Sequence, residues 1–354
     1  RLVVIFLTEP VALGRLASGK RDCNGSDNCK QFGLAVDNGV TAQRLSSWVP
    51  HVKVERPLSR AECMVKLDGV PLTDRDVTLL DDEQCLNDSA LDFFLRLVIH
   101  LSAPAELKDY MYVVSSFFYQ KLTSNGVSTG DQGWENVQRW TQRLPRAATE
   151  YQYIFVPVNE LNLHWWLAVI CNPINAVLSQ PSVKTAADTP RIVVLDSAEE
   201  QLDKQAAANY LRGYVWRETL ERFKESDSGR TQQLRSKEDA AKAMRTYIAE
   251  VPKQENGYDC GIFVIEFLLR LMTSPPSLRG LGLVKHGHWF NQVQASHRRK
   301  QLKHIAKLLL QSCARLGESD VQKLLQEQPR LVENVKERLI NKPTAPQDSA
   351  VKGE

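Results

Sequence analysis

The sequence has no apolar run near the ~18 residues that span a bilayer. Its longest N-terminal run, Leu2 to Leu7, is ended by Glu9 and Pro10 and is too short for a typical signal-peptide core. No membrane partner is expected. The seven cysteines are odd in number, scattered from Cys23 to Cys313, and form no C-x-x-C pair. That argues against a disulfide framework and a zinc ribbon, and for a reducing compartment, cytosol or nucleus. No complete G-x-x-x-x-G-K-S/T loop and no strand-linked G-x-G-x-x-G occurs, so nucleotide chemistry has no support. Net charge is scarce as well. The 45 Lys and Arg against 42 Asp and Glu leave +3, too little to argue for nucleic acid. His286, His288, His297 and His304 have no cysteine or carboxylate beside them at ligand spacing, so neither metal nor other cofactor is expected.

What is present is a globular composition of 354 residues, 43% hydrophobic and 25% charged. At ~150 residues per domain, about two domains are expected. Residues 1–62 read as a β-rich lobe or extension, with short strands at Leu2–Leu7 and Phe32–Val36. The sequence opens on Arg1 rather than Met, so an upstream targeting segment stays open. Residues 63–315 carry the sharper pattern. Asn87 and Asp88 cap a helix with Leu91, Phe94, Leu95, Val98 and Ile99 on one face. Ser124–Trp134, rich in Gly, Ser and Asp, reads as a loop. Tyr153–Val158, Trp165–Cys171 and Arg191–Asp196 are apolar runs that read as buried strands of one sheet. Residues 172–190, polar and with three prolines, read as an insertion. Asp203–Lys224 is amphipathic, whereas Gly261–Met272 is apolar nearly all round and reads as a buried helix. Residues 316–354 read as a helical, then disordered, tail. The fold class is α+β, a central mixed sheet flanked by helices.

Four residues stand out. His164 follows a strand and a short polar turn; alone, it is more often a structural residue. Asp196 ends an apolar strand, where an acid is unexpected, although it could simply cap the next turn. Cys260 alone is more often a small buried hydrophobe. Together they have a chemical logic. Cys260 precedes the buried helix, and a thiol at a helix N-terminus faces the positive end of the dipole, which favours thiolate. His164 can serve as its base and Asp196 as the acceptor that orients the imidazole. Gln254, six residues before the thiol, and the Cys260 N–H are candidate oxyanion donors.

These stretches resemble the Ulp/SENP family of SUMO-specific cysteine proteases. The resemblance rests on Leu86-Asn87-Asp88, Ile154–Asn159, His164-Trp165, Val194–Ser197 and, most of all, Val251–Gly261. The chain order His, Asp, Cys with Gln before Cys is that family's order. Ser115–Tyr119, Val137–Thr141 and Trp166–Cys171 look most like the branch that trims poly-SUMO chains. The resemblance implies a cysteine-protease fold with the nucleophile at the N-terminus of a buried helix. It implies a monomer in nucleus or cytoplasm that cleaves SUMO from lysine after Gly-Gly through a Cys260 thioester. Trp165 would wall a narrow passage for the tail, and Asp88 would contact the modifier. Cys85 stands where many members have Trp or Phe as the opposite wall, so the passage could be wider. A NEDD8-type modifier, an acyltransferase sharing the His–acid–Cys arrangement, and a weakly active modifier-binding module are the competing readings. Arg298-Arg299-Lys300 reads as a solvated helix start or a nuclear-import patch.

Overall fold

The computed structural model describes residues 63–340, except 143, 199–203, 227, 275–277 and 283–284. The lobe expected over 1–62 and the end of the tail lie outside the described residues. A hairpin, β1 (Met64–Leu67) and β2 (Val70–Thr73), comes first. After α1 (Asp74–Thr78), Asn87 caps α2 (Asp88–Ser102), its Oδ1 accepting the Ala90 N–H at 2.8 Å. There follow α3 (Ala105–Lys108), β3 (Met111–Val113), α4 (Phe117–Leu122), α5 (Gly130–Thr141), β4 (Tyr153–Glu160) and β5 (His164–Cys171). Next come α6 (Pro173–Val177), β6 (Arg191–Leu195), α7 (Gln205–Ser226), α8 (Lys237–Ala243) and β7 (Arg245–Ile248). The described chain closes with α9 (Cys260–Thr273), α10 (Gln292–Leu316), α11 (Val321–Glu327) and α12 (Pro329–Ile340).

The sheet runs β3-β4-β5-β6-β7, antiparallel at its centre and parallel at both outer pairs. Its faces alternate with the strand period of two. Tyr153, Phe155, Trp165, Leu167, Val169, Val193 and Leu195 pack with α2 and α9. Ile154, Val156, Val158, Trp166, Ala168, Ile170, Ile192 and Val194 pack with α4, α5 and α7. Both faces are covered, so these strands read as continuous apolar runs rather than alternating ones. Each fully buried aliphatic or Phe side chain contributes roughly 1.5–3 kcal/mol. Helix α9 lies inside this core, with Cys260 through Met272 all buried.

Four expectations differ from the structure. The loop expected over Ser124–Trp134 ends early, because α5 begins at Gly130. Its glycines serve a close helix crossing: a Cβ on Gly130 would lie 1.6 Å from the Tyr210 carbonyl oxygen, and one on Gly133 2.0 Å from that of Leu122. Residues 172–190 are not wholly a loop. They form α6, which buries Pro173, Ala176 and Val177, with the chain turned into it by Asn172 at φ 48. The tail beyond 315 is helical up to Ile340, as expected, but it packs against the rest of the fold. Val321, Leu324, Leu325, Val335 and Leu339 are buried, and Lys66 N–H donates to Ser319 C=O at 2.7 Å. Finally, Arg298 and Arg299 are not solvated; both are fully buried. Arg298 and Arg270 clamp the buried Glu266 of α9 at 2.5 and 3.2 Å. Arg298 also donates to the Leu339 and Arg338 carbonyls at the end of α12, at 2.6 and 3.1 Å.

Candidate active site

The β4–β5 hairpin places the histidine. Its turn has Leu161 and Asn162 both left-handed, at φ 54 and 58, with Leu163 N–H bonded to Glu160 C=O at 3.0 Å. That geometry suits hairpin twist and costs a leucine roughly 1–2 kcal/mol. It leaves Leu161 and Leu163 78% exposed and sets His164 as the first residue of β5. Asp196 follows the last residue of β6, the neighbouring strand. Its Oδ1 sits 2.6 Å from His164 Nε2 and also accepts the Ala198 N–H at 2.9 Å. With Nε2 engaged, Nδ1 is the ring nitrogen left for Cys260, which is near enough to act on the imidazole electrostatically.

The electrostatics fit an ion pair. Burial alone would depress the imidazolium, but the hydrogen bonds to Asp196 and Cys260 outweigh it and raise His164 to about 9. Burial likewise opposes the Asp196 carboxylate. The His164 bond and the Ala198 N–H overcome this and hold it below the usual carboxylate range. Asp196 has a second partner that the sequence gave no reason to seek. The buried ammonium of Lys204 lies 3.1 Å from Oδ2, pairs with Glu160, and sits 5.0 Å from the centre of the Trp166 ring. Lys253 adds two bonds of 2.9 Å to the Asp196 and Ala198 carbonyls, bracing the turn behind the acid.

Cys260 opens α9, and the residue before it explains why this helix end is accessible. Asp259 is the N-cap, yet its side chain makes no cap bond. Its carboxylate is drawn elsewhere, to Arg299 at 2.7 Å, Gln292 at 2.6 Å and Asn256 at 2.8 Å. Arg299 in turn donates to the Leu79, Asp81 and Tyr258 carbonyls. The first-turn N–H groups of α9 therefore keep their positive field for the thiol and any adjacent oxyanion.

A cavity of about 230 Å³ opens on Cys260 and is lined also by Cys85, Leu86, Asp88, Asn159 and Trp165. Trp165 is fixed by its indole N–H, which donates to Leu86 C=O at 3.1 Å. Asp88 accepts from Ser116 at 3.2 Å. Cys85 is exposed; burial first, and Cys260 second, push its thiol up. Asn159 Oδ1 is buried without a hydrogen-bond partner among the described residues. Gln254 stands apart from this cavity. Its Oε1 accepts from Ser197 and its Nε2 donates to Asn256 C=O, both at 2.6 Å. Its second amide hydrogen makes no bond among the described residues. Among the described residues, no group of three or more His, Cys, Asp or Glu is placed to hold a metal, and no helix is long and apolar enough to cross a membrane.

The model described as "Ulp1 protease family, C-terminal catalytic domain" matches residues 84–283, more than half the chain. This chain belongs to the Ulp1 protease family. The match covers the histidine, the aspartate and the cysteine. Ubiquitin-like-specific protease 2 of Schizosaccharomyces pombe is 30% identical over 284 residues, spanning 71% of this chain and 41% of that protein. Sentrin-specific protease 7 of Homo sapiens is 27% identical over 263 residues, spanning 58% and 24%. The chain thus spans less than half the length of these relatives. A crystal structure of "the de-sumoylating protease" aligns with TM-score 0.54 at 21% identity, covering 79% of this chain and 98% of that one. It shares the fold: a mixed sheet flanked by helices, as expected from the sequence.

Proposed function

We propose that this chain is a thiol isopeptidase that releases SUMO, or trims poly-SUMO chains, after a C-terminal Gly-Gly. The observation that carries the reading is the 2.6 Å His164–Asp196 pair together with Cys260, which opens a buried helix and lines a cavity too small for most ligands. Small-molecule sites usually measure roughly 300–1,000 Å³. About 230 Å³ between Trp165 and the Cys85–Asp88 segment suits a tail whose residues have no Cβ. The names of the relatives, a ubiquitin-like-specific protease and a sentrin-specific protease, support the modifier class.

In this reading Cys260 thiolate attacks the terminal glycine carbonyl, and the oxyanion forms beside the first N–H groups of α9. His164, held protonated by Asp196, donates its proton to the leaving lysine amine. Neutral His164 then takes a proton from water, which attacks the thioester and frees the modifier. Gln254 becomes an oxyanion donor if the tail turns its amide from Asn256, and Asn159 Oδ1 accepts an N–H of the tail. Trp165 and Cys85 form the walls, and Asp88 meets the modifier's body. We assign residues 63–340 to this catalytic unit, working as a monomer in nucleus or cytoplasm; family membership and the unpaired thiols support that placement.

The test uses SUMO, NEDD8 and ubiquitin carrying a thiol-reactive C-terminus, with Cys260→Ala as control. An adduct with SUMO alone, lost in the control, is expected. An adduct with NEDD8 keeps the mechanism and changes the partner. No adduct with any probe sinks the catalytic reading in favour of a binding module.

A further inference from the structure

Cys63 and Cys313 are 250 positions apart and lie far from the catalytic sequence motifs. The fold brings them together. Cys63 immediately precedes β1, and Cys313 sits in the last turn of α10. Cys63 Sγ donates to Leu310 C=O at 3.3 Å, one helical turn before Cys313. Cys313 Sγ donates to Met64 C=O at 3.5 Å, the carbonyl next to Cys63. Each thiol thus reaches the backbone beside the other, so the two side chains meet where the start of β1 lies against the end of α10. Both are half-buried, so a small oxidant has access. Neither takes part in the chemistry proposed above.

We propose that Cys63 and Cys313 are a dithiol that closes to an intramolecular disulfide by exchange with a low-molecular-weight disulfide of the glutathione type. The Cys63 thiolate attacks one sulfur of the small disulfide, forms a mixed disulfide and expels one thiolate. Cys313 loses its proton to solvent, attacks the Cys63 sulfur and expels the second thiolate. One sulfur–sulfur bond is broken and one is formed. The protein dithiol gives up two electrons and two protons, and the small disulfide is reduced to two thiols. Burial first, and the neighbouring Cys63 second, push the Cys313 thiol up.

The bond would tie the start of β1 to the end of α10. Beside it the chain already makes a second tie, where Lys66 N–H donates to Ser319 C=O at 2.7 Å just past the Gly317 cap of α10. Helix α10 also carries Arg299, which holds Asp259 next to Cys260. The closed state therefore stiffens the frame behind the active site without touching its cavity. Because the closed loop spans nearly the whole described chain, the denatured state loses much freedom. A rise in unfolding midpoint of about 5–10 °C is expected for a domain this large.

The experiment incubates the reduced full chain with oxidised glutathione, quenches with N-ethylmaleimide, and maps disulfides by non-reducing proteolysis and mass spectrometry. A linked peptide pair containing Cys63 and Cys313 is expected, removed by dithiothreitol and absent in Cys313→Ser. The oxidised wild type should unfold at the higher midpoint and return to the lower one on reduction. Stable glutathione adducts on both residues, alkylation of both thiols, or pairing with other cysteines would overturn the proposal. These readouts do not depend on cleavage of any modifier, so they stand apart from the test of the proposed function.

Discussion

Arg299→Met is the sharpest test of how this active site is held. Arg299 and Asp259 pair at 2.7 Å with both side chains 1% exposed. Removing one partner of such a buried pair typically costs about 3–5 kcal/mol, since the other charge stays behind unpaired. Three backbone carbonyls, those of Leu79, Asp81 and Tyr258, also lose a donor. A loss of about 4 kcal/mol is therefore expected, out of the 5–15 kcal/mol typical of a folded domain. Urea unfolding followed by tryptophan fluorescence measures it, read as a fall in midpoint at constant slope.

The same substitution has a chemical consequence. With Arg299 gone, the Asp259 carboxylate keeps only its bonds from Gln292 and Asn256, and its charge at the start of α9 is no longer balanced. That puts a negative charge beside Cys260 and neutralises the helix field that favours thiolate. Alkylation of Cys260 by iodoacetamide at neutral pH should slow, with Cys260→Ser providing the background. Adding Asp259→Asn removes the stranded charge. The double variant should recover part of both losses, because deleting both partners costs less than deleting one. A stability loss under about 1 kcal/mol, or strictly additive effects in the double variant, would refute the reasoning.

His164 gives a pH prediction with a definite sign. Its native pKa is raised from 6.5 to about 9, so cleavage of a Gly-Gly amide should fall as pH rises through about 9, when the proton for the leaving amine is lost. The linked stability is fully present below 6.5 and disappears across the same window to about 9, so His164→Gln should flatten that part of the stability profile. Lys204→Met removes the ammonium 3.1 Å from Asp196 Oδ2. The carboxylate is then less compensated and holds the imidazolium more strongly, so the alkaline limb should move upward; a downward shift would show that Lys204 acts on His164 in some other way. Leu161→Asn keeps the left-handed turn with a residue that tolerates it and should stabilise the chain by about 0.5–1 kcal/mol in urea unfolding, with His164 still in register.

The parts of this molecule that were legible from sequence share one property: their signal is local. Cys260 is marked by the apolar helix it opens, His164 by the turn and strand it joins, and Asp196 by ending a run in which an acid is out of place. Each sits at the end of a regular element whose periodicity is readable, and the resemblance to the Ulp/SENP family is what joins the three into one site. The buried sheet was legible for the same reason, since strands covered on both faces give unbroken apolar runs. Arg299, Arg298 and Lys204 have no such mark. A long cation at a polar helix start has the same sequence signature whether it points to water or inward, and their partners lie 40, 32 and 8 positions away, or more. Gly130 and Gly133 failed in the opposite direction. Glycine signals a loop by default, and only the backbone of the crossing helix shows that here it marks a close approach. In the proposed mechanism, the reactivity of Cys260 is expected to depend on one of these illegible residues. In this chain a helix N-terminus bearing an aspartate as its cap residue would normally cap itself, and Cys260 faces an open helix end because Arg299 draws that carboxylate away.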